Sequence, residues 1–171
     1  EEDLPFRWKK LISRFTSADN TEKYGQIVIN HYKEKHRFYH DINHLLLLLD
    51  RLDFALENIA ISEQSATIIE LAIWYHDAIY IPENNDNELK SAELFTTHAK
   101  ALNINQNVMA DVKRLIMITE NHNLASSLDE EIISDCDLTP LGLNRKSFDI
   151  SDLNIRKEYP NTPEIERKKA L

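Results

Sequence analysis

The sequence has little of what disulfide-linked or turn-rich proteins depend on. Among its 171 residues there are one cysteine, two glycines and five prolines. The single cysteine, Cys136, excludes an internal disulfide and a cage of thiolate metal ligands, and it fits a reducing compartment. Few glycines and prolines leave little material for the tight turns of β-hairpins. We therefore expect a helical protein of the cytoplasm.

Long hydrophobic runs and an excess of positive charge are also absent. Even the longest unbroken apolar stretches, such as Leu45 to Leu49, fall far short of the roughly 20 residues that a membrane-crossing helix needs. The charged start, Glu1-Glu2-Asp3, is unlike a signal peptide. A net charge of −9 provides no broad basic surface for a nucleic-acid backbone or an anionic membrane. Neither a membrane nor a long nucleic acid is expected as a partner.

Apolar residues are plentiful and recur at intervals of three and four along the whole chain, which is typical of amphipathic helices. No repeat, low-complexity tract or linker divides the chain, so we predict one all-α domain over residues 1–171, built as a helical bundle. The predicted helices cover the stripe from Leu4 to Phe15, the stripe from Tyr24 to Tyr32, and the segments Ile42 to Ile59, Glu63 to Tyr80, Glu88 to Leu102, Gln106 to Glu120, Asp129 to Leu138 and Phe148 to Glu158. Asp41, Ser62 and Asn105 are the predicted N-caps. Pro160 and Pro163 end the pattern before a short charged tail.

The helix predicted to follow Ser62 is apolar most of the way round, so we expect it at the centre of the bundle. The pair His76-Asp77 then lies in a core helix. A buried ionised carboxylate is costly unless something compensates it, and a metal ion would do so while giving each group a partner. The alternatives are a His–Asp hydrogen bond in the core and an exposed helix end.

Other residues of the types that bind metals flank this pair, namely His40, His44, His122, Asp135 and Asp137. Asp41 as N-cap leaves His40 outside the helix, which makes His44 the stronger ligand candidate. Asp135 and Asp137 are two positions apart and point to nearly opposite sides of a helix, so only one can face an ion. A zincin-type site is excluded, because no Glu follows His40 directly as the general base.

The order His44, then His76-Asp77, then Asp137 resembles the H…HD…D signature of the HD-domain superfamily of metal-dependent phosphohydrolases. Within it, the chain is similar to a bacterial subgroup of short predicted HD phosphohydrolases. The motifs that carry the likeness, between Arg37 and Tyr159, are Arg37-Phe38-Tyr39-His40 with His44, Trp74 to Tyr80, Asn87-Glu88 with Ser91-Ala92, Asp135 to Leu138 with Leu141-Gly142, and Ile155-Arg156 with Glu158-Tyr159. The sequence departs from the subgroup at Ile81, where an acid is expected, and at Cys136, where a small residue is expected. The likeness also implies that the C-terminal helix is incomplete.

The resemblance implies that His44, His76, Asp77 and Asp137 hold one divalent ion. Such a mixture of imidazole and carboxylate ligands suits Mn, Fe, Co, Ni or Zn, and suits Mg less well. Asp137 is favoured over Asp135 because it aligns with the last Asp of the signature.

Further roles follow from the same resemblance. Asp77 can also hydrogen-bond the reacting water. His40 is a candidate for supporting the metal ligands or contacting the phosphate, with a purely structural role as the alternative. His122 is a candidate for contacting the substrate or a second ion. For His122 the alternative is a histidine favoured by the dipole at a helix C-terminus.

Three more motif residues carry expected roles. Arg37 and Arg156 are candidates for binding the phosphate, and Glu88 for orienting ligands or water. Surface salt bridges are the alternative for all three. The remaining histidines, His31, His36 and His98, are expected on helix surfaces without a role.

The expected activity is metal-dependent hydrolysis of a small phosphorylated molecule, with nucleotides among the candidates, by metal-activated water. The alternative is a non-catalytic helical domain that binds a nucleotide or a metal. A third hypothesis, an oxygenase with two iron ions, needs more histidine ligands than can be assigned from the sequence.

Overall fold

The structure is a computed structural model that describes residues 3–160. The secondary structure of this range is helical throughout, as predicted, and consists of α-helices joined by short loops. They are α1 (Leu4–Ile12), α2 (Glu22–Tyr32), α3 (Ile42–Asn58), α4 (Glu63–Tyr75), α5 (Asn87–Ala101), α6 (Gln106–Ile118), α7 (Leu128–Gly142) and α8 (Arg145–Glu158), with a 3-10 helix, His122–Leu124, between α6 and α7. The predicted charged tail after Pro160, with Pro163, lies outside the described residues.

Short polar side chains start most of these helices. The predicted caps are confirmed, because Asp41, Ser62 and Asn105 each accept a hydrogen bond from a backbone N–H of the first turn that no helical carbonyl can reach. At α7, Ser127 and Glu130 form a reciprocal capping box. The starts of these capped helices are therefore fixed by local chemistry, whereas α2 and α5 begin without a side-chain cap.

Four predicted helix boundaries lie three or more residues from those of the structure, and one of them matters for function. The helix expected to reach Tyr80 ends at Tyr75, with His76 as its C-cap and Asp77 in the following turn. Arg37 donates hydrogen bonds to the carbonyl oxygens of Asp77 and Ala78. These two oxygens therefore have hydrogen-bond partners although the helix does not continue past them. Of the other three, α1 ends at Ile12 rather than at Phe15, and α7 ends at Gly142 rather than at Leu138. Helix α8 begins at Arg145 behind an Asn144 cap rather than at Phe148.

The centre of the bundle is α4, which contacts α1, α3, α5, α6 and α7. Its residues Trp74 and Tyr75 are almost fully buried, and Trp74 packs edge-on against Trp8 of α1 with ring centroids 5.3 Å apart. The prediction that this helix is central is therefore confirmed. Helices α3, α4 and α7 pack against one another, so the beginning of α3 and the end of α4 meet the middle of α7.

One histidine prediction is wrong. His98, expected on a helix surface, is buried on α5, where its Nδ1 lies 2.8 Å from the hydroxyl of Tyr75. The pattern failed because a helix packed on two sides buries residues outside its apolar stripe. In residues 3–160, no helix has the length and apolar character needed to cross a membrane.

Candidate metal centre

Three separate segments bring four metal-binding side chains together. His44 lies in the first turn of α3, whose start is fixed by the Asp41 cap. His76 and Asp77 lie where α4 ends, and Asp137 lies in the second half of α7. These elements all contribute residues to the hydrophobic core, among them Leu48, Ile73 and Ile133, and the polar cluster lies beside it.

The ligand atoms of this cluster are close to one another. The Nε2 atoms of His44 and His76 are 3.3 Å apart, and the Oδ2 atom of Asp77 lies 3.5 Å and 3.1 Å from them, respectively. The Oδ1 atom of Asp137 lies 3.1 Å from His44 Nε2 and 3.7 Å from His76 Nε2. The ligand atoms of His44, His76 and Asp77 can therefore reach one position, and the Asp137 carboxylate lies beside both histidines.

Three of these five separations match those around a bound metal ion, and the other two are slightly longer. An ion bound at about 2.1 Å to each ligand places neighbouring ligand atoms about 3.0–3.4 Å apart, in octahedral or tetrahedral geometry. His44, His76 and Asp77 are buried, and two imidazoles with two carboxylates form a donor set suited to a divalent transition metal. The residues present therefore fit the ion that the sequence predicts.

A hydrogen bond at Nδ1 of His76, on the side of the ring away from the cluster, leaves Nε2 free to bind a metal ion. Its Nδ1 lies 2.8 Å from the carbonyl oxygen of Ile73, and a carbonyl can only accept. Nδ1 therefore carries the proton, and the Nε2 lone pair faces the cluster. By contrast, Nδ1 of His44 is buried without a hydrogen-bond partner.

The charges of the cluster depend on one another. Burial raises the pKa of Asp77, but nearby His76 outweighs this effect and the pKa lies below its usual value. For Asp137, burial also raises the pKa, while hydrogen bonds from His122, His44 and His76 bring it well below the usual value. The carboxylates are thus ionised and remain available as ligands.

The structure distinguishes Asp137 from Asp135. The Asp135 side chain is exposed on the outer side of α7, whereas Asp137 is directed into the cluster. Two residues along a helix turn through about 200°, so the two carboxylates cannot share a face. Asp137 is the acid that joins His44 and His76.

A cavity of about 500 Å³ opens beside the cluster. Five carboxylates line it, together with three tyrosines, several amides and two histidines. The lining residues that carry these groups are Tyr39, His40, Asp77, Tyr80, Glu83, Asn84, Asn85, Asn87, Glu88, Glu120, His122, Asp137 and Tyr159. Among residues 3–160, the lining includes no lysine or arginine, so its carboxylates outnumber its basic side chains.

Three residues expected near the reaction do line this cavity. His122 lies in the 3-10 helix with Nε2 3.2 Å from Asp137 Oδ2. His40 lies outside α3, as predicted, with Nδ1 2.7 Å from Glu158 Oε2. Burial, together with the charges of Asp77 and Glu120, raises the pKa of Glu88.

The two arginines expected to bind phosphate lie elsewhere. The Arg37 side chain is completely buried and donates to Glu34 and to backbone carbonyls, so it has no face on the cavity. Arg156 is exposed on α8 and pairs with Asp152 of the same helix at 2.8 Å. For Arg156 this contact matches the surface salt bridge that was its alternative role.

Sequence reasoning assigned no role to several residues that shape the site. Glu158 accepts hydrogen bonds from three consecutive backbone N–H groups and faces His40. Tyr80 stacks on His40 with ring centroids 4.0 Å apart, and its hydroxyl lies 2.7 Å from that of Tyr159. Tyr80, Glu158 and Tyr159 all belong to motifs quoted above, and that membership was the available signal.

Comparison with known proteins does not identify a family for this chain. No family model matches the chain, and neither the curated proteins nor the solved structures include a match.

Proposed function

We propose that this protein is a metal-dependent phosphohydrolase of the HD type, acting on a small phosphorylated molecule. The observation that carries the proposal is the buried group of His44, His76 and Asp77, whose ligand atoms lie 3.1–3.5 Å apart. Asp137 adds a carboxylate oxygen 3.1 Å from His44 Nε2. The order of these residues along the chain, which resembles the HD signature, supports the same activity.

The ligands fit a single Mn, Fe, Co, Ni or Zn ion better than Mg, because Mg prefers sites made of oxygen atoms. When bound, such an ion supplies a positive charge that lowers the pKa of a water molecule and neutralises a phosphoryl oxygen. The sole cysteine, Cys136, is buried and unpaired, which supports the reducing cytoplasm as the proposed location.

The surrounding side chains have distinct tasks in this proposal. Nδ1 of His40 donates to the ionised Glu158, so Nε2 is the nitrogen available to a substrate in the cavity. Burial lowers the pKa of His40, but the hydrogen bond with Glu158 and nearby carboxylates raise it above its usual value. His40 therefore holds a proton that it can donate to the phosphate or the leaving group. Glu88, whose pKa is also raised, orients water or substrate by hydrogen bonding.

The size and charge of the cavity indicate the kind of substrate. A volume of about 500 Å³ suits a small molecule. Since carboxylates dominate the lining, a substrate with little negative charge beyond its reacting phosphate fits best. A nucleoside monophosphate meets this condition better than a triphosphate does.

The test compares the wild-type protein with a His76→Ala, Asp77→Ala double variant by elemental analysis and by a metal-supplemented screen on generic phosphate monoesters and diesters. Asp135→Asn is the matched control, since its exposed carboxylate lies outside the cluster. About one transition-metal ion per chain, lost with hydrolysis only in the double variant, supports the proposal. Metal binding without turnover of any ester would instead favour a non-catalytic binding domain.

A further inference from the structure

Two charged side chains lie completely buried on either side of the segment 37–40, which leads into α3. They are Arg37 at the start of this segment and Glu158 at the end of α8, and neither side chain has any exposed surface. A buried charge is costly unless each of its polar atoms is matched. Both residues meet this condition with unusual completeness.

Arg37 joins the segment to the turn after α4. Its Nη1 atom lies 2.7 Å from the carbonyl oxygen of Asp77, and its Nη2 atom lies 2.9 Å from that of Ala78. Nη1 also donates to the carbonyl of His40, and Nε donates to Glu34. The planar guanidinium therefore connects the backbone beside one proposed metal ligand with the segment that precedes another.

Glu158 holds the same segment from the other side. Its Oε1 atom accepts hydrogen bonds from the backbone N–H groups of Phe38, Tyr39 and His40 at 2.7, 2.8 and 3.0 Å, and Oε2 lies 2.7 Å from His40 Nδ1. The next residue, Asp41, caps α3. The position of these three peptides therefore sets where α3 begins and where His44 lies.

We propose that Arg37 and Glu158 are positioning residues, which together fix His44 relative to Asp77 and fix the ring of His40 facing the cavity. The first part of this inference rests on the proposed metal site, and the second does not. Apolar residues in these two places would leave the backbone N–H groups of 38–40 and the carbonyls of Asp77 and Ala78 without partners, so the two charges hold the backbone in this one arrangement. Residues behind metal ligands commonly change metal affinity or activity about 10- to 100-fold when they are replaced.

The test uses the full chain with Glu158→Gln, and with Asp152→Asn as a control on the same helix that removes only the ion pair with Arg156. The glutamine keeps one oxygen for the backbone N–H groups but faces His40 with an N–H donor, so Nδ1 of His40 must become the acceptor. Nitrogen NMR of the metal-free protein, at a pH where the imidazoles are neutral, reports which ring nitrogen carries the proton. A zinc titration by calorimetry reports affinity.

We expect the proton of His40 to move from Nδ1 to Nε2 in Glu158→Gln, and the zinc dissociation constant to rise about 10- to 100-fold, while Asp152→Asn resembles the wild type. Arg37→Lys keeps the charge but loses the planar fork, so it should weaken zinc binding by a similar factor and leave the His40 proton on Nδ1. If Glu158→Gln does not fold, Glu158→Asp takes its place, and its shorter side chain should raise the zinc dissociation constant by a similar factor.

An unchanged His40 spectrum in Glu158→Gln, or zinc affinity equal to that of the wild type in both Arg37→Lys and the Glu158 variant, overturns the inference. A wild-type protein that binds no zinc or other transition metal contradicts the proposed function and the positioning of His44. The His40 spectra then still decide whether Glu158 orients that ring, so the two failures are distinguishable.

Discussion

The Nε2 atoms of His44 and His76 lie 3.3 Å apart although the two residues are separated by 32 positions in the chain. The proton of His76 is engaged on Nδ1 by the carbonyl of Ile73. Two nitrogen atoms at this distance need a proton or a cation between them, because their lone pairs otherwise repel. A metal ion bound between the two nitrogens should therefore stabilise the folded protein.

Adding zinc or manganese to metal-free protein should raise its melting temperature. Because an ion that binds only the folded chain stabilises it by about 2.7 kcal/mol at a hundredfold excess over its dissociation constant, the rise should be about 5–10 °C. Thermal unfolding followed by circular dichroism, with and without the metal, measures the shift. His76→Ala should show no shift, and an equal shift in that variant would contradict the site.

Asp137→Asn should weaken metal binding at least about tenfold, whereas Asp135→Asn should leave it unchanged. The physical reason is that Asp137 Oδ1 lies 3.1 Å from His44 Nε2, while the Asp135 side chain is exposed. Calorimetric titration of the two variants with zinc provides the comparison. Equal loss in both, or loss in Asp135→Asn alone, would mean that the ligand is assigned wrongly.

The two glycines of the chain should respond oppositely to alanine. A Cβ at Gly25 would lie 2.4 Å from the Trp8 ring, so Gly25→Ala should destabilise the protein by about 1–3 kcal/mol through overpacking. At Gly142 a Cβ meets nothing within 4 Å, and Gly142→Ala should be neutral or stabilise by up to about 1 kcal/mol. Urea unfolding of both variants tests this, and a stable Gly25→Ala would show that Trp8 can move.

Stability should fall as the pH falls from about 6.5 toward 4, partly because of His98. Burial, together with nearby His31, lowers the pKa of His98 from 6.5 to about 4. In this range the unfolded chain binds a proton that the folded chain excludes, so protonation favours unfolding, and the effect levels off below pH 4. One such group contributes a slope of at most about 1.4 kcal/mol per pH unit.

The measurement is urea unfolding of wild type and His98→Gln at several pH values. The variant should depend less on pH between 6.5 and 4, even if it is less stable at neutral pH. His36→Gln, at a side chain that is 45% exposed, serves as the control and should keep the wild-type slope. Parallel slopes in all three proteins would contradict the buried, neutral state of His98.

Esters with neutral or cationic leaving groups should be hydrolysed with a kcat/KM at least about tenfold higher than polyphosphate esters of similar size. The carboxylates of the cavity, among them Glu83, Glu88 and Glu120, repel a polyanion, and added salt should reduce the difference by screening. Glu83→Gln should reduce the difference in kcat/KM between the two kinds of ester. Glu131 is exposed on α7 and does not line the cavity, so Glu131→Gln should leave the difference unchanged. A preference for the triphosphate would refute this reading of the cavity.

Much of the fold followed from the order of residues alone. Helix starts at Asp41, Ser62 and Asn105 were predictable because a cap acts on N–H groups only two or three residues away. The central position of α4 was predictable because an apolar surface on all sides has to be buried. The end of α4 was not, since carbonyls there bind Arg37, which is 40 positions distant.

The sequence by itself thus determined an all-helical chain, its capped helix starts and an ordered set of metal-binding residue types, because helix periodicity and capping are local. Only the tertiary structure decided that Asp137 rather than Asp135 joins His44 and His76, that His98 is buried, and that Arg37 lies beneath the site. These outcomes depend on which helix faces meet and on which distant donors and acceptors find one another. Such contacts are set by packing in three dimensions, which spacing along the chain does not encode residue by residue.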